Sequence, residues 1–253
     1  MTVGEITRGT THPNRLRRMD RWILHAACGT MRAAADPLAV DIGYGRSPVT
    51  TVELRNRLHA HVRSDVEVIG IEIDPERVAA AQPLSQPGLS FRLGGFEVPL
   101  PGGRSPILIR AANVLRQYDE TDVRASWRLM SSRLAPGGFL VEGTCDEIGR
   151  RSTWVTLRAG ADVPETFSMA AHIGSLERPS DLAPRLPKAL IHRNLPGQPV
   201  HDFLARFDDA WHRCAGLIPF GARQRWVAAV QLLADSGVPV LDSAARWRLG
   251  EIT

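Results

Sequence analysis

The chain has 253 residues, of which 43% are hydrophobic, and it carries a formal net charge of +4 at pH 7. This length allows one large α/β domain, or one domain with an appendage. No apolar run approaches the roughly 18 residues of a membrane span, and the N-terminal stretch lacks the apolar core of a signal peptide. We therefore expect a cytoplasmic protein that does not enter a membrane.

The three cysteines, Cys28, Cys145 and Cys214, are scattered along the chain. An odd and sparse set suits a reducing compartment and argues against a disulfide framework. The histidines and cysteines show no standard zinc spacing, so we expect no metal site. Lys188 is the only lysine. So uniform a preference for arginine is typical of a codon-usage bias, and the net charge supports an RNA partner only weakly.

The N-terminal region contains a polar stretch and then a helix. Residues 1–12 are polar and predict an extended or loose segment. Residues 14–35 follow Pro13 and carry apolar side chains at helical spacing on one side. Four arginines of this helix form either a solvated face or part of a lid that reaches a ligand, namely Arg15, Arg17, Arg18 and Arg21.

The first strand is predicted at 38–42, and the rest of the chain is organised around the loop that follows it. Asp41 lies at the carboxyl end of this strand, and Gly43 and Gly45 allow a sharp turn and a close backbone approach. We expect Ser47 to cap the next helix, with Pro48 at its first position, and this helix to run to about residue 61. A strand, a glycine loop and a helix N-terminus together form a typical nucleotide-binding unit.

Four more strands follow, separated by helical patterns or turns. Near-continuous apolar runs indicate strands that are buried on both faces, at 66–73, 89–93, 106–112 and 139–143. Helices are predicted at 74–81 and 119–134. Prolines and glycines after residue 98 mark a loop where a crossover helix would be missing or very short. This alternation predicts a parallel, doubly wound sheet.

The pattern changes after the fifth strand. Two segments, 154–157 and 166–170, predict an antiparallel hairpin, and the later segments are mostly helical, at 179–190, 200–215 and 222–235, with a possible last strand at 245–251. The expected fold is therefore α/β: a doubly wound, mostly parallel seven-stranded sheet with an antiparallel hairpin at its edge and a helical C-terminal extension. We divide the chain into an N-terminal helix or lid, a core and an extension, at 1–36, 37–173 and 174–253.

Three stretches of this core resemble the class I S-adenosyl-L-methionine (SAM)-dependent methyltransferases. They are Asp41-Ile42-Gly43-Tyr44-Gly45, Gly70-Ile71-Glu72-Ile73-Asp74-Pro75 and Leu134-Ala135-Pro136-Gly137-Gly138-Phe139-Leu140. They occur in the order and at the approximate spacing of that family, and the similarity covers about residues 38 to 145. The resemblance implies a Rossmann-like fold, SAM as cofactor and methyl transfer as the reaction.

The resemblance also implies the residues that hold SAM. Glu72 is at the position of the family's acid that binds the ribose hydroxyls, a role that a carboxylate suits. The family often has an acid after the third strand that contacts the adenine amine. Here Gly95-Phe96 occupies that position, so Phe96 stacks on the adenine or Glu97 supplies the polar contact. The expected cofactor-binding residues are Asp41, Gly43, Tyr44, Gly45, Glu72, Ile73, Phe96 and Asn113.

Other nucleotide sites fit less well. Pro48 occupies the place of the third glycine of a dinucleotide-binding loop, and the chain contains no P-loop sequence. The signatures of adenine or glutamine N-methylation and the Pro-Cys nucleophile of cytosine methylation are also missing.

The acceptor is not identified by the sequence. Ligands lie at the carboxyl ends of the strands in such folds, which places a set of polar residues near the methyl group: Asn113, Arg116, Tyr118, Thr144, Cys145, Asp146 and Glu147. We assign none of them as catalytic. Three histidines are either general bases or ordinary surface groups, namely His172, His192 and His201. Three tryptophans of the extension are expected in the core, namely Trp211, Trp226 and Trp247.

Three functions remain open. The favoured one is a SAM-dependent methyltransferase that acts on a small or medium organic molecule. The second is an RNA or protein methyltransferase that docks its substrate on the arginines of 15–21 and 185–193. The third is a non-catalytic SAM-binding module that regulates a partner. The sequence assigns neither the acceptor nor the oligomeric state.

Overall fold

The computed structural model describes residues 2–253. Its strands β1 to β8 are Leu38–Ile42, Glu67–Glu72, Leu89–Leu93, Leu108–Ala112, Phe139–Cys145, Arg151–Arg158, Thr166–Ala171 and Glu251–Ile252. Its helices α1 to α8 are Arg17–Ala33, Val49–His61, Pro75–Ala81, Glu120–Ser131, Lys188–Ile191, Pro199–Arg213, Ala222–Asp235 and Ala244–Trp247. Short 3-10 helices lie at Gln82–Leu84, Pro101–Gly103, Leu115–Gln117, Ile173–Ser175, Pro179–Arg185 and Ala215–Phe220.

All eight strands belong to one sheet, in the order β3-β2-β1-β4-β5-β6-β7-β8. Strands β1 to β5 pair in parallel, whereas β6 pairs antiparallel with both β5 and β7. The predicted doubly wound, mostly parallel sheet with an antiparallel hairpin is therefore confirmed. Between β3 and β4 the chain forms only the 3-10 turn Pro101–Gly103, so the expected lack of a crossover helix is also confirmed.

The predicted count of seven strands is wrong, because the end of the chain adds an eighth. Residues 245–251 do not form one strand: Ala244–Trp247 is helix α8, and Glu251–Ile252 then pairs antiparallel with the outer edge of β7. Gly250 makes this connection possible. Its φ of +79° turns the chain, and its carbonyl accepts a hydrogen bond from the Ala171 N–H at 2.9 Å.

Two helix starts differ from the predictions. Helix α1 begins at Arg17 rather than at residue 14, because Asn14 has a left-handed φ of +61° that a right-handed helix cannot contain. Helix α2 begins at Val49 with Pro48 as its cap residue, and no side chain caps it. The expected cap by Ser47 is therefore wrong.

The two faces of the sheet bury separate hydrophobic cores. One face packs against α1 and α2 through Ile23 and Leu54. The other face packs against α4 through Trp127 and Met130. A third cluster joins β7 and β8 to α6 and α7 and contains the three buried tryptophans of the C-terminal region, which confirms them as core residues, namely Trp211, Trp226 and Trp247.

None of the helices between residues 2 and 253 combines the length and the apolarity that a membrane crossing needs. Cys28, Cys145 and Cys214 are free thiols. Across the same described residues, the acidic, histidine and cysteine side chains form no group of three that could hold a metal ion.

Candidate functional site

The loop after β1 is tightly packed at both of its glycines. Gly43 and Gly45 have φ values of +68° and +79°. A Cβ on Gly43 would meet the Val114 side chain at 2.6 Å, and one on Gly45 would meet the carbonyl oxygen of Gly9 at 2.5 Å. Both positions therefore require glycine, as the sequence predicts. The atoms that approach these two glycines closely belong to the protein itself and not to a ligand.

Glu72 connects this loop to the end of β2. Its carboxylate is 2% exposed. One oxygen accepts a hydrogen bond from the Gly45 N–H at 2.8 Å, and the other accepts one from the Ile73 N–H at 3.0 Å. Arg77 lies 3.6 Å from the same carboxylate. The Asp74 N–H is a third, longer donor at 3.4 Å. A carboxylate has about four acceptor positions, so Glu72 fixes the loop and keeps about one position for a further donor.

The next hollow along the sheet edge, which we call the groove, lies over the ends of β2 and β3. The N-terminal segment, residues 3–9, runs through it. The Phe96 N–H donates to the carbonyl of Val3 at 2.9 Å, and the Val3 N–H donates to the Glu97 carboxylate at 2.7 Å. These two bonds hold both backbone groups of Val3, which offer a donor beside an acceptor. The groove retains a volume of only about 20 Å³, room for about one water.

The remainder of the N-terminal segment is fixed by contacts with several loops. The Arg46 N–H donates to the Gly9 carbonyl at 2.9 Å, and Arg77 donates to the Thr7 carbonyl at 2.8 Å. The Tyr118 hydroxyl accepts from the Glu5 N–H. Of the two predicted forms, extended or loose, residues 3–9 have the extended one: they cover the sheet edge and are held mainly through their backbone.

A second hollow, which we call the cavity, continues from the groove past Ile42 and Gly43, which line both. It has a volume of about 500 Å³ and lies over the ends of β1, β4 and β5. Of the eight predicted cofactor residues, four line the cavity, namely Asp41, Gly43, Tyr44 and Asn113. Four line the groove, namely Gly43, Glu72, Ile73 and Phe96. Gly45 lines neither and contacts Glu72 instead.

Asp41 forms part of the cavity floor, and its carboxylate is already occupied. Arg110, from the middle of β4, donates to its two oxygens at 2.8 and 2.7 Å, and the Thr51 hydroxyl donates at 2.6 Å. Arg110 also pairs with Asp20 of α1 and is fully buried. Burial lowers the pKa of Arg110, but the two carboxylates outweigh it and raise the pKa above its ordinary value. The expected contact of the Asp41 side chain with a ligand is not what this geometry supports.

Asn113 and Cys145 join the ends of β4 and β5 at the back of the cavity. The side-chain oxygen of Asn113 accepts from the Cys145 N–H at 2.9 Å, and its amide lies 3.3 Å from the Cys145 sulfur. Asn113 has a φ of +62°, a left-handed conformation that is uncommon outside glycine. Burial raises the pKa of the Cys145 thiol, so this thiol stays protonated at neutral pH.

Two predicted aromatic residues lie mostly in the protein interior. Tyr44 packs edge-on against Phe91, with ring centroids 5.4 Å apart, and its hydroxyl is buried. Burial and then the charge of Glu72 raise the pKa of Tyr44 above its ordinary value. Phe96 is 3% exposed and packs against Tyr118 at a centroid distance of 5.2 Å. A wide stacking surface at Phe96 is therefore not available while the N-terminal segment lies in the groove.

The arginines of 15–21 do not form one exposed face. Arg15 and Arg18 are buried, and Arg18 donates to the Gly149 carbonyl at 3.1 Å. Arg21 pairs with Glu251 of β8. The predicted docking surface for RNA on this helix is therefore largely used for internal contacts.

The other polar residues proposed near the methyl group divide between the cavity and the surrounding loops. Arg116 and Cys145 line the cavity, whereas Tyr118 lines the groove. The Thr144 hydroxyl donates to the Arg185 carbonyl, and Asp146 accepts from the N–H groups of the following turn. Glu147 is exposed. The histidines proposed as bases line neither hollow, namely His172, His192 and His201.

Two contributions to the site were missed. Arg8 and Arg185 line the cavity beside Arg15 and Arg116, although the sequence places them far apart. Arg110 was not singled out either. Its position inside the apolar strand PILIRAA was an available signal, since an arginine in a strand buried on both faces needs a buried partner.

Comparison with known proteins gives matches in structure only. No family model matches the chain, and no curated protein matches its sequence. Among the solved structures that match is the N-methyltransferase NodS from Bradyrhizobium japonicum WM9 in complex with S-adenosyl-L-homocysteine. It is 21% identical, with 52% of this chain and 62% of that chain covered and a TM-score of 0.38.

Two further matches have similar scores. The sugar N-methyltransferase KedS8 from Streptoalloteichus sp. is 18% identical, with 67% of this chain and 75% of that chain covered and a TM-score of 0.39. The CMeT domain of the citrinin polyketide synthase is 23% identical, with 44% of this chain covered and a TM-score of 0.36. The match spans only 30% of the length of that chain, and the same share of LepI, which was solved in complex with SAM.

Proposed function

We propose that the protein is a SAM-dependent methyltransferase that acts on a small or medium organic acceptor. One observation carries this proposal. The glycine loop lies between two adjoining hollows at the carboxyl edge of the sheet: Gly43 lines both, Asp41 and Tyr44 line the cavity, and Glu72 and Phe96 line the groove. This edge is where open α/β sheets bind their ligands.

The residues of the groove fit an adenosine. The Glu97 carboxylate and the Phe96 N–H now hold the N–H and the C=O of Val3. The edge of adenine offers the same pair, a donor amine beside an acceptor nitrogen. Glu72 has about one acceptor position left for a ribose hydroxyl. Since the groove has a volume of only about 20 Å³, residues 3–9 must move out of it before an adenosine can enter.

The cavity has space for the rest of the cofactor and for an acceptor. Its volume of about 500 Å³ lies within the usual range for small-molecule sites. When bound, SAM supplies a methyl group on a sulfonium, so that a lone pair of the acceptor forms the new bond and the electrons of the broken C–S bond remain on sulfur. The protein's part is to align the two groups and exclude water.

The side chains that line the cavity supply no general base at neutral pH. The thiol of Cys145 and the hydroxyl of Tyr44 have pKa values raised by burial, and the Asp41 carboxylate is bound by Arg110 and Thr51. No histidine lies among the lining residues that the structure describes. The acceptor must therefore present its lone pair without help from a base.

Substitution of Glu72 tests the proposal directly. Glu72→Ala should weaken binding of S-adenosyl-L-homocysteine by about tenfold to 100-fold, because a bond to a charged acceptor contributes about 1.5–3 kcal/mol. Isothermal titration calorimetry measures this affinity. Glu76→Ala is the matched control, since Glu76 is an exposed acid of the same region. If Glu72→Ala bound S-adenosyl-L-homocysteine with unchanged affinity, the cofactor assignment would be wrong.

A further inference from the structure

Four guanidinium groups line the cavity, and they come from three separate parts of the chain. Two belong to the N-terminal region, one follows β4, and one ends the 3-10 helix Pro179–Arg185. We call them the wall arginines: Arg8, Arg15, Arg116 and Arg185. The only acid among the lining residues is Asp41, whose charge is already balanced from below by Arg110.

None of the wall arginines has a carboxylate partner within 4.0 Å in residues 2–253. Arg15 donates to the carbonyls of Asp146, at 3.0 Å, and Thr10. Arg116 donates to the Leu186 carbonyl at 3.2 Å. These acceptors satisfy donors without neutralising charge. One acid outside the lining is within electrostatic reach: a hydrogen bond from its own backbone and then the charges of Arg185 and Arg15 lower the pKa of Glu147. Because Glu147 is exposed and screened by solvent, it offsets only part of the charge of these two arginines.

The wall arginines also repel one another. Burial and then the nearby charge of Arg185 lower the pKa of Arg116 below its ordinary value. Arg15 is only 8% exposed, so solvent screens its charge poorly. Charges gathered in this way are strongly stabilised by an anion that enters the cavity.

The cofactor proposed above leaves most of this charge unbalanced. SAM carries one carboxylate against two cationic groups, so it can neutralise at most one wall arginine. We propose that the acceptor is a small acid with more than one negative charge, carried on carboxylate or phosphate groups and bound by the wall arginines. This rests on the proposed function. The planar fork of arginine matches both kinds of oxyanion.

The chemistry of the cavity agrees with such an acceptor. An ionised oxyanion brings its own lone pairs and needs no base, and no side chain of the cavity is placed to act as one. A small molecule fits better than RNA for two reasons. Residues 7–11 form one wall of the cavity. Of the arginines of α1 that could guide a polyanion from outside, Arg18 is buried and Arg21 is paired, which leaves Arg17 exposed in that stretch.

Calorimetry on the full-length protein saturated with S-adenosyl-L-homocysteine tests the proposal. The probes are citrate, inorganic pyrophosphate and choline, titrated at constant ionic strength. We expect citrate or pyrophosphate to bind and choline not to bind, and the stronger of the two anions distinguishes a carboxylate from a phosphate acceptor. The double variant Arg116→Gln/Arg185→Gln should lower the affinity for the anion by about tenfold or more.

Two comparisons control for folding and for general charge. Arg116→Lys/Arg185→Lys keeps the charge but loses the fork, and should bind the anion with intermediate affinity. Arg92→Gln removes an exposed arginine of β3 outside the cavity and should bind like the parent protein. If Arg92→Gln lost as much affinity for the anion as the double variant, the proposal would be overturned. It would also be overturned if a short single-stranded RNA bound more tightly than citrate and pyrophosphate and needed Arg116 and Arg185 to do so.

The same titrations separate this proposal from the one on which it rests. If the protein binds S-adenosyl-L-homocysteine but neither anion, the proposed class of acceptor is wrong and the methyltransferase assignment stands. If the protein does not bind S-adenosyl-L-homocysteine, the methyltransferase assignment and the proposed acceptor are both wrong.

Discussion

Arginine occurs in two contrasting settings on the two sides of the cavity floor. Below it, Arg110 is fully buried between Asp20 and Asp41, so its charge is balanced within the fold. Above it, the wall arginines have only carbonyl partners or none. The contrast indicates which charge belongs to the folded structure and which is left for a ligand. It also makes the two settings separable by experiment.

Removal of the arginine below the floor should lower the stability of the fold strongly. Arg110→Met leaves Asp41 buried without a counter-charge and leaves Asp20 with Arg57 alone, so the free energy of unfolding should fall by about 3–5 kcal/mol. Urea denaturation at neutral pH, followed by circular dichroism, measures this change.

The matched variant above the floor is Arg116→Met. It removes a charge that no carboxylate balances and relieves repulsion with Arg185, so the free energy of unfolding should change by less than about 1 kcal/mol. If both variants lost the same stability, the distinction between floor and wall would be broken.

A buried acid on the opposite face of the sheet extends the comparison to an acid with no cationic partner. Glu142 of β5 is fully buried, and the indole N–H of Trp127, which lies near its carboxyl group, opposes the effect of burial on the pKa without cancelling it. Burial raises the pKa of Glu142 to about 8. At neutral pH the fold therefore keeps Glu142 neutral, whereas it keeps Arg110 charged.

The shifted pKa of Glu142 predicts a loss of stability as the pH rises. Between the unfolded value of 4.5 and about 8, the folded protein holds one more proton than the unfolded chain. The free energy of unfolding should thus fall by about 1.4 kcal/mol for each pH unit in that window because of this group. Glu142→Gln cannot ionise and should remove that part of the slope, which denaturation at a series of pH values measures. Parallel curves for the two proteins would contradict the prediction.

Much of the fold could be predicted from the sequence, because its signals are local. Apolar runs that end at acids and glycines define the strands along the chain. The stretch from Asp41 to Gly45 marks the edge of the sheet at which a ligand is expected. The bond between Glu72 and the glycine loop follows from the same geometry, since both lie at the carboxyl ends of adjacent parallel strands.

The parts that escaped prediction depend on pairings that are distant in sequence. Asp41 is a strand-end acid whether it faces a ligand or Arg110, and only the packing of β1 against β4 and α1 decides between them. The N-terminal segment is held mainly by backbone bonds, which any residue except proline can make. Its polar sequence has no periodicity that would place Val3 beside Phe96 and Glu97.

The N-terminal segment provides the last test, because it distinguishes the groove from the cavity. Val3 holds the two bonds that an adenine edge would need, and each is worth about 0.5–1.5 kcal/mol net. A protein that lacks residues 2–5 should therefore bind S-adenosyl-L-homocysteine about tenfold more tightly in calorimetry. Binding of citrate or pyrophosphate in the cavity should change by less than about twofold, since the wall arginines remain.

Val3→Ala is the control for this deletion, because it keeps the backbone N–H and C=O and removes only a half-exposed side chain. Its affinity for S-adenosyl-L-homocysteine should equal that of the parent protein. Weaker binding after the deletion would mean that residues 2–5 close over a bound cofactor and do not compete with it. A deletion that altered both affinities equally would mean that groove and cavity respond as one site, since Ile42 and Gly43 line both.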